Sequence, residues 1–378
     1  MQITLQKRDF LRGLARTHGV ADRKSSMPIL SNVLLDASAD HGLRLSATDL
    51  YLGMSSVVPA EVVVPGVVAV AARTLFEIVK NLPAGEVKLT VGENQSAEIR
   101  CGKVVYRIPG MPGEDFPPLP NPEGAESVAV RVAILSELVA LTQYSMSTDD
   151  TRPHLAGALF AADDGVIRMV TTDGHRLSKA EHHLPTDAPK PSFSMLIPHR
   201  GVGELRRLLD DAKADSKAGS EAPVLDIVQT GGHAFFGYAD TMLSVKLADE
   251  QFPPFEKVIP QSQTKRVVTA RDRLIEALKR ISLVANDKSG GVQLSLEPGV
   301  LKIQSQNPDV GEGSEEVDVD YDGDKLSIGF NARYMLDVLG ALTHDEVALG
   351  LSGELDPCVI RPVGDGVDFA GVIMPMRI

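Results

Sequence analysis

The sequence predicts an α+β protein built from three similar modules, each with two helices packed on one face of a mostly antiparallel sheet. Three observations lead to this prediction. The chain has 378 residues, a length greater than one hydrophobic core usually serves, and 43% of them are hydrophobic. The same order of elements repeats three times along it. Within each repeat, apolar residues recur at helical spacing and are followed by short apolar runs separated by turns.

Each module begins with a short strand that leads into an amphipathic helix. In the second module Leu135, Leu138 and Val139 recur at three- and four-residue spacing, which places them on one helix face. We therefore expect each helix to cover a sheet. The predicted strands are 3–5, 128–132 and 267–270, and the helices that follow are 9–16, 133–143 and 272–281.

A pair of strands joined by a tight turn follows each of these helices. Each turn contains a glycine, which tolerates the backbone angles of a tight reversal; the three turns are Ala39-Asp40-His41-Gly42, Asp163-Asp164-Gly165 and Glu297-Pro298-Gly299. The predicted pairs are 29–35 with 43–46, 155–161 with 166–170, and 292–296 with 301–304.

A second helix in each module carries an arginine four residues before an acidic residue. The aligned pairs are Arg73 with Glu77, Arg200 with Glu204, and Arg333 with Asp337. Further strands, at 87–91, 224–229 and 347–351, close the modules. The first two modules end on Phe-Pro-Pro tails, which indicate linkers because proline ends strands and stiffens the chain. We place the modules at 1–122, 127–260 and 265–378.

Composition excludes several classes of protein. We find no apolar run long enough for a membrane span and no signal-peptide pattern. Cys101 and Cys358 have no CxxC partner, so neither a thiolate zinc site nor a disulfide framework is expected. A cytoplasmic protein without a cofactor fits best. The net charge of -13 argues against a uniformly basic nucleic-acid surface, although it does not exclude a local basic patch.

Three short patterns could carry chemistry, and each has a simpler explanation. The run 318–323 starts like a calcium loop, but a strand that ends in an acidic turn explains it better. Asp173 and His175 could act as an acid and base, yet no nucleophile or metal motif accompanies them, so Asp173 is interpreted as a turn residue. His182 and His183 are interpreted as a solvated pair rather than a metal site.

Basic residues recur on single helix faces. Arg8, Arg12 and Arg16 are four residues apart, opposite an apolar face. Three other pairs are seven residues apart: Arg73 with Lys80, Arg200 with Arg207, and Arg273 with Arg280. Such faces fit either contact with nucleic-acid phosphates or an ordinary solvated surface, and spacing alone favours the solvated surface.

The C-terminal residues 372–378 are unusually apolar and contain Met374 and Met376. Because thioether side chains adapt to varied surfaces, this end could form one wall of a groove that binds several peptides. It could equally be an edge strand packed into its own core.

Four sequence blocks, spread over the whole chain, resemble the bacterial sliding clamps, the beta subunits of DNA polymerase III. These blocks are 27–32, 171–177, 329–334 and 374–377. The resemblance implies a DNA clamp fold in which two chains close a six-domain ring around double-stranded DNA without reading its sequence. Basic helix faces would then line the hole, and an acidic exterior would explain the net charge.

The resemblance also implies a hydrophobic groove that binds short peptide motifs of other proteins. Its implied partners are the replicative polymerase alpha subunit, the clamp-loader delta subunit, and repair and translesion polymerases. The implied groove residues are Leu155, Thr172, Gly174, His175, Arg176, Leu177, Pro253, Val258, Asn331, Tyr334, Leu355, Pro357, Val372, Met374, Pro375, Met376 and Arg377.

DNA contacts and subunit contacts follow from the same resemblance. The implied DNA-binding residues are Lys24, Arg73, Arg152, Arg200 and Lys257, and those of the dimer interface are Lys103, Val104, Tyr106, Ile108, Leu283 and Val284. Segments 211–223 and 310–316 look like longer loops, and loop 147–154 is less aromatic than the family pattern. We therefore expect a non-catalytic processivity factor; the alternatives are a protein-binding scaffold without DNA and a hydrolase that uses Asp173 and His175.

Overall fold

The computed structural model describes residues 1–22, 24–122, 124–149, 151–184, 190–216, 221–286 and 290–377. The helices are α1 (Lys7–Thr17), α2 (Ala72–Asn81), α3 (Val132–Thr142), α4 (His199–Asp215), α5 (Arg271–Ser282) and α6 (Ala332–Ala341). The strands are β1 (Gln2–Gln6), β2 (Asn32–Ser38), β3 (Gly42–Thr48), β4 (Leu52–Val58), β5 (Glu61–Val64), β6 (Gly66–Ala71), β7 (Glu86–Val91), β8 (Ala97–Cys101), β9 (Val104–Ile108), β10 (Gly110–Pro112), β11 (Val128–Arg131), β12 (Gly157–Asp163), β13 (Val166–Thr172), β14 (Arg176–His183), β15 (Phe193–Pro198), β16 (Val224–Thr230), β17 (His233–Tyr238), β18 (Thr241–Lys246), β19 (Lys265–Ala270), β20 (Gly291–Glu297), β21 (Val300–Asn307), β22 (Gly311–Asp318), β23 (Leu326–Asn331), β24 (Glu346–Leu351), β25 (Cys358–Pro362) and β26 (Asp368–Ile373).

The first of two compact units comprises Met1–Leu135 and Gly203–Leu247. It contains a five-stranded sheet in the order β5-β1-β7-β8-β9 and a nine-stranded sheet in the order β10-β6-β2-β3-β4-β18-β17-β16-β11. All pairings in both sheets are antiparallel. Side chains of α1 and α2, among them Phe10 and Leu75, are fully buried in one apolar cluster with residues of both sheets. Burial of this cluster stabilises the unit.

The second unit comprises Ser136–Val202 and Ala248–Ile378. Its eight-stranded sheet has the order β15-β12-β13-β14-β26-β25-β24-β19, and its four-stranded sheet has the order β22-β21-β20-β23. Strand β26, near the C-terminus, pairs with β14, so that Leu177 lies opposite Val372. This pairing places the end of the chain beside the turn that precedes β14.

The three predicted hairpins are confirmed as β2-β3, β12-β13 and β20-β21. At the turn of the second hairpin, Asp164 and Gly165 have φ angles of 45° and 79°. Two consecutive positive φ angles are typical of a type I′ turn, for which Asp-Gly is a favoured pair. Arg73, Arg200 and Arg333 each occupy the second position of a helix, as their alignment predicts.

Three predicted elements are wrong in detail. Residues 28–31 form a short 3-10 turn that starts at Pro28, whose fixed φ suits a helical start, so β2 begins at Asn32 and not at residue 29. Segment 211–223 is not simply a loop, since α4 continues to Asp215; residues 217–220 lie outside the described part. Segment 310–316 is mostly strand, because the whole of β22 pairs with β21.

The two compact units do not coincide with the three sequence modules, because strands of the second module are divided between two sheets. Strand β18 pairs with β4, and β14 pairs with β26. The division at 1–122, 127–260 and 265–378 therefore stays a prediction. No helix in the described ranges is long and apolar enough to cross a membrane.

Candidate binding groove and basic surfaces

A groove of about 300 Å³ lies in the second unit, beside the paired strands β14 and β26. Its lining is largely apolar and comes from four separate parts of the chain. The lining residues are His154, Leu155, Thr172, Gly174, Arg176, Leu177, Pro253, Phe255, Val258, Val372 and Met374. A concave apolar surface with a few polar groups is the usual form of a site for a peptide or small molecule.

The turn Thr172–Arg176 forms one edge of the groove and is held by its own hydrogen bonds. The carboxylate Oδ1 of Asp173 accepts from the backbone N–H groups of His175 and Arg176, at 2.9 and 3.0 Å. The Thr172 hydroxyl donates to the Arg176 carbonyl at 2.6 Å. Gly174 has a φ of +91°, where an L side chain is strained. The turn is therefore fixed before any partner binds.

The base of the groove is a small apolar cluster. Leu177 and Val372 are almost fully buried there, together with Phe255, whose ring meets Phe252 edge-on at 6.4 Å between centroids. By contrast, Met374 and Val258 stay 40% and 41% exposed. These two partly exposed apolar side chains lie beside a buried apolar base. Together they form an apolar surface that a partner could cover.

The groove brings together nine of the residues implied by the family resemblance: Leu155, Thr172, Gly174, Arg176, Leu177, Pro253, Val258, Val372 and Met374. Eight others do not line it: His175, Asn331, Tyr334, Leu355, Pro357, Pro375, Met376 and Arg377.

Some of these outer residues have structural roles. Asn331 caps α6 by accepting from the backbone N–H groups of Arg333 and Tyr334. The Met376 N–H donates to the Gly329 carbonyl at 2.8 Å, which fixes the end of the chain against β23.

Two residues that line the groove were not predicted from the sequence, His154 and Phe255. Each adjoins a predicted segment, so the only available signal was their position next to Leu155 and Pro253-Pro254.

Arg176 connects the groove to α6. Its Nε donates to Asp173 Oδ2 at 3.0 Å and its Nη1 donates to Asp337 Oδ2 at 2.5 Å, while its Nη2 donates to the Tyr144 carbonyl at 2.6 Å. The guanidinium carbon lies 4.5 Å from the centroid of the Tyr334 ring. Tyr334 therefore contacts Arg176, which lines the groove, but does not line the groove itself. Burial raises the pKa of Tyr144 well above its usual range, so its phenol stays neutral.

The five residues implied in DNA binding lie in different surroundings. Lys24, Arg73, Arg200 and Lys257 are exposed. Arg152 instead lies beside the turn at the edge of the groove. Its Nε donates to Asp149 at 2.8 Å and its Nη1 donates to the Asp173 carbonyl. The hydroxyl of Thr151, its backbone N–H and the Arg152 guanidinium lower the pKa of Asp149 to about 2. The pair is therefore ionised at neutral pH.

The prediction that the basic face of α1 is either solvated or open to phosphates is wrong for Arg16. Its side chain is only 3% exposed, and it bonds Asp211 and Asp215 of α4 at 3.1 and 2.9 Å. A third bond joins Arg16 to the Thr241 hydroxyl at 3.0 Å. Arg8 and Arg12 remain on the surface. Tertiary packing therefore buries one arginine of the row and pairs it with two partly exposed aspartates.

Two strands at sheet edges are relevant to the implied dimer interface. In the first unit, β9 ends its five-stranded sheet and exposes Tyr106. Lys103, just before β9, is exposed, whereas Val104 and Ile108 at the two ends of β9 are half-buried. In the second unit, β22 ends its four-stranded sheet; Leu283, after α5, is 79% exposed and Val284 is half-buried. An edge strand offers unpaired backbone groups to another chain.

The alternative chemistries gain no support from the geometry. Both carboxylate oxygens of Asp173 are engaged within its own turn and by Arg176. His182 is not simply solvated, since its Nε2 lies 2.7 Å from a carboxylate oxygen of Glu137. Across the described ranges, no group of three or more His, Cys, Asp or Glu side chains could hold a metal ion.

Comparison with known proteins identifies the family. Three sequence profiles of the DNA polymerase III beta subunit match in order: the N-terminal domain over residues 1–120, the central domain over 129–254 and the C-terminal domain over 256–377.

Relatives and solved structures agree with these matches over the full length of both chains. The beta sliding clamps of Pseudomonas aeruginosa and Escherichia coli are 35% and 33% identical. Crystal structures of the DNA polymerase III beta subunit of Pseudomonas aeruginosa and of the sliding clamp of Caulobacter crescentus superpose with TM-scores of 0.92 and 0.90, at 33% and 32% identity. The chain therefore belongs to the beta sliding clamps, the beta subunits of DNA polymerase III.

Proposed function

We propose that two copies of this chain close a ring around duplex DNA and hold a replicative polymerase on it through the groove. Family membership makes the chain a DNA sliding clamp, a processivity factor and not an enzyme. The observation that carries the proposal of a tether is the groove beside β14 and β26, since it combines a buried apolar base with exposed Met374 and Val258.

The groove would take a short extended peptide with apolar anchor residues. An anchor that fills a desolvated pocket supplies most of the free energy of such binding. The replicative polymerase alpha subunit, the clamp-loader delta subunit, and repair and translesion polymerases are the proposed carriers of these peptides. Because all would use one groove, they would compete for it.

Ring closure would use the two exposed sheet edges. Strand β9 of one copy would pair with β22 of the other, with Tyr106 and Leu283 among the contacts. Charge supports this pairing: β9 contains Arg107 and follows Lys103, whereas β22 contains Glu312 and Glu316. Opposite charges on facing edges favour association and fix its register.

DNA would pass through the ring and meet Lys24, Arg73, Arg200 and Lys257, together with Arg152 if its bond to Asp149 opens. Contacts of lysine and arginine with phosphates hold a duplex without selecting a sequence. Retention would come from topology, so weak contacts suffice. Replication of bacterial DNA would place the protein in the cytoplasm.

Loading on circular DNA tests the proposal. Labelled protein is loaded on a nicked circular plasmid by the clamp loader of the same organism, and its retention is followed by gel filtration before and after linearisation. We expect retention on the circle and loss from the linear form. A linear plasmid blocked at both ends by bound protein is the control and should retain the clamp. Equal loss from circular and linear DNA would exclude encirclement.

A further inference from the structure

Arg176 is part of the groove lining, yet its charged group is directed into bonds with the protein itself. Three of its nitrogen atoms donate to Asp173, Asp337 and the Tyr144 carbonyl, over 2.5 to 3.0 Å. The guanidinium carbon lies 4.5 Å from the ring centroid of Tyr334 and 5.6 Å from that of Tyr144. Only a tenth of the side chain is exposed. A peptide would therefore meet a cation that is already paired.

The two carboxylates that hold Arg176 differ in origin and in surroundings. Asp173 belongs to the same turn, and it also accepts from two backbone N–H groups, so its position does not depend on Arg176 alone. Asp337 lies on α6, which is remote in sequence, and a third of its side chain is exposed. Within the described part of the chain, the single bond shown for the Asp337 side chain is the one to Arg176. Asp337 is therefore the partner whose change most directly releases Arg176.

We infer that Asp337 is a positioning residue that determines the specificity of the groove. It neutralises Arg176 and holds it in place, so the groove accepts peptides with uncharged apolar anchors and discriminates against an acidic anchor. Without the Asp337 carboxylate, the N–H groups of the freed Nη1 would attract a peptide carboxylate in the groove, because a guanidinium bonds carboxylates through the N–H groups in its plane. The inference rests on the proposed function, since it assumes that the groove binds peptides.

The test measures the binding of two labelled peptides to the full-length protein by fluorescence anisotropy. The peptides share one sequence and differ only in the central anchor, which is Leu in one and Glu in the other. The proteins are the wild type, D337N, D337E and, as a matched control, D322N, which changes an exposed aspartate beyond β22. D337N should bind the Leu peptide about fivefold more weakly and the Glu peptide about fivefold more tightly, on the scale of one partly exposed charged hydrogen bond.

The ratio of the two affinities separates a role in specificity from a merely structural one. D337E keeps a carboxylate and should retain most of the wild-type ratio, and D322N should retain all of it. An equal loss of both peptides in D337N, or no change in either, would overturn the inference. If D337N does not fold, D337S removes the same charge and allows the same comparison. Failure of the wild type to bind the Leu peptide would instead refute the groove itself, and the inference with it.

Discussion

The buried guanidinium of Arg16 on α1 lies 2.9 Å from the carboxylate of Asp215 on α4. Arg16 also bonds Asp211 and the Thr241 hydroxyl, which in turn lies 3.0 Å from the Ser56 hydroxyl. A single side chain therefore ties a helix near the N-terminus to a helix and a strand about 200 residues later. Removal of Arg16 would leave Asp211 without this ion pair, while Asp215 and the Thr241 hydroxyl would keep Arg12 and Ser56 as partners.

We expect R16M to lower the free energy of unfolding by about 2 kcal/mol, below the usual cost of breaking a buried ion pair because both aspartates are partly exposed. Urea denaturation followed by circular dichroism measures the difference. R12M is the matched control, because Arg12 is 49% exposed and lies 3.6 Å from Asp215. It should cost less than about 0.5 kcal/mol. Equal losses in the two variants would show that burial of Arg16 is unimportant.

Replacement of Met374 tests the groove. Its side chain is 40% exposed on one wall, while its backbone N–H donates to the His175 carbonyl at 2.9 Å. M374S should keep the backbone bond and lose apolar contact, so peptide affinity should fall about tenfold, the scale of one lost large apolar side chain. Deletion of residues 374–378 should abolish binding and leave the dimer intact; residue 378 lies outside the described part.

Isothermal titration calorimetry with a polymerase-derived peptide measures both effects. M27S is the control, since Met27 is 45% exposed and lies in the other compact unit. Undiminished binding by M374S and by the deletion variant would place the peptide site elsewhere.

Leu283 tests ring closure. A leucine that is 79% exposed loses little by substitution in a single chain, whereas a charge within an interface is strongly unfavourable. We expect L283D to convert the dimer to a species of 40.5 kDa at micromolar concentration, with the free energy of unfolding of the single chain nearly unchanged.

Sedimentation velocity distinguishes the two species. L50D is the matched control, because Leu50 is another exposed leucine, at 50%, and its φ of 75° is one that aspartate tolerates. It should stay dimeric. A monomeric wild type, or a dimeric L283D, would contradict the proposed interface.

Replacement of Thr151 tests what lowers the pKa of Asp149, whose partner Arg152 bonds the turn at the edge of the groove. Its hydroxyl donates to Asp149 at 2.6 Å and, with the Thr151 backbone and Arg152, lowers the Asp149 pKa to about 2. An ionised Asp149 favours the folded loop at pH values above its unfolded pKa of about 4. That contribution is lost as pH falls from about 4 toward 2. T151V should raise the Asp149 pKa toward 4, as measured by carboxyl NMR titration. An unchanged pKa would mean that the Thr151 backbone N–H and Arg152 lower it without help from the hydroxyl.

The sequence determined those features that depend on neighbours along the chain. Apolar spacing and glycine-containing turns predict the hairpins β2-β3, β12-β13 and β20-β21, because both depend on local backbone preference. The alignment of Arg73, Arg200 and Arg333 is likewise confirmed, since each is the second residue of a helix. The family resemblance placed nine residues of the groove correctly around one cavity.

Only the tertiary structure decided how distant segments meet. Arg16 has the spacing of a surface residue and is buried because α4 and β18 bring Asp215 and Thr241 to it. Residues 310–316 have the composition of a loop, yet β21 supplies the backbone partners that make 311–316 part of a strand. The resemblance places Arg176 in the groove, but its bond to Asp337 forms only because α6 lies beside it in the folded chain. Such pairings arise between residues far apart in the chain, so no local pattern encodes them.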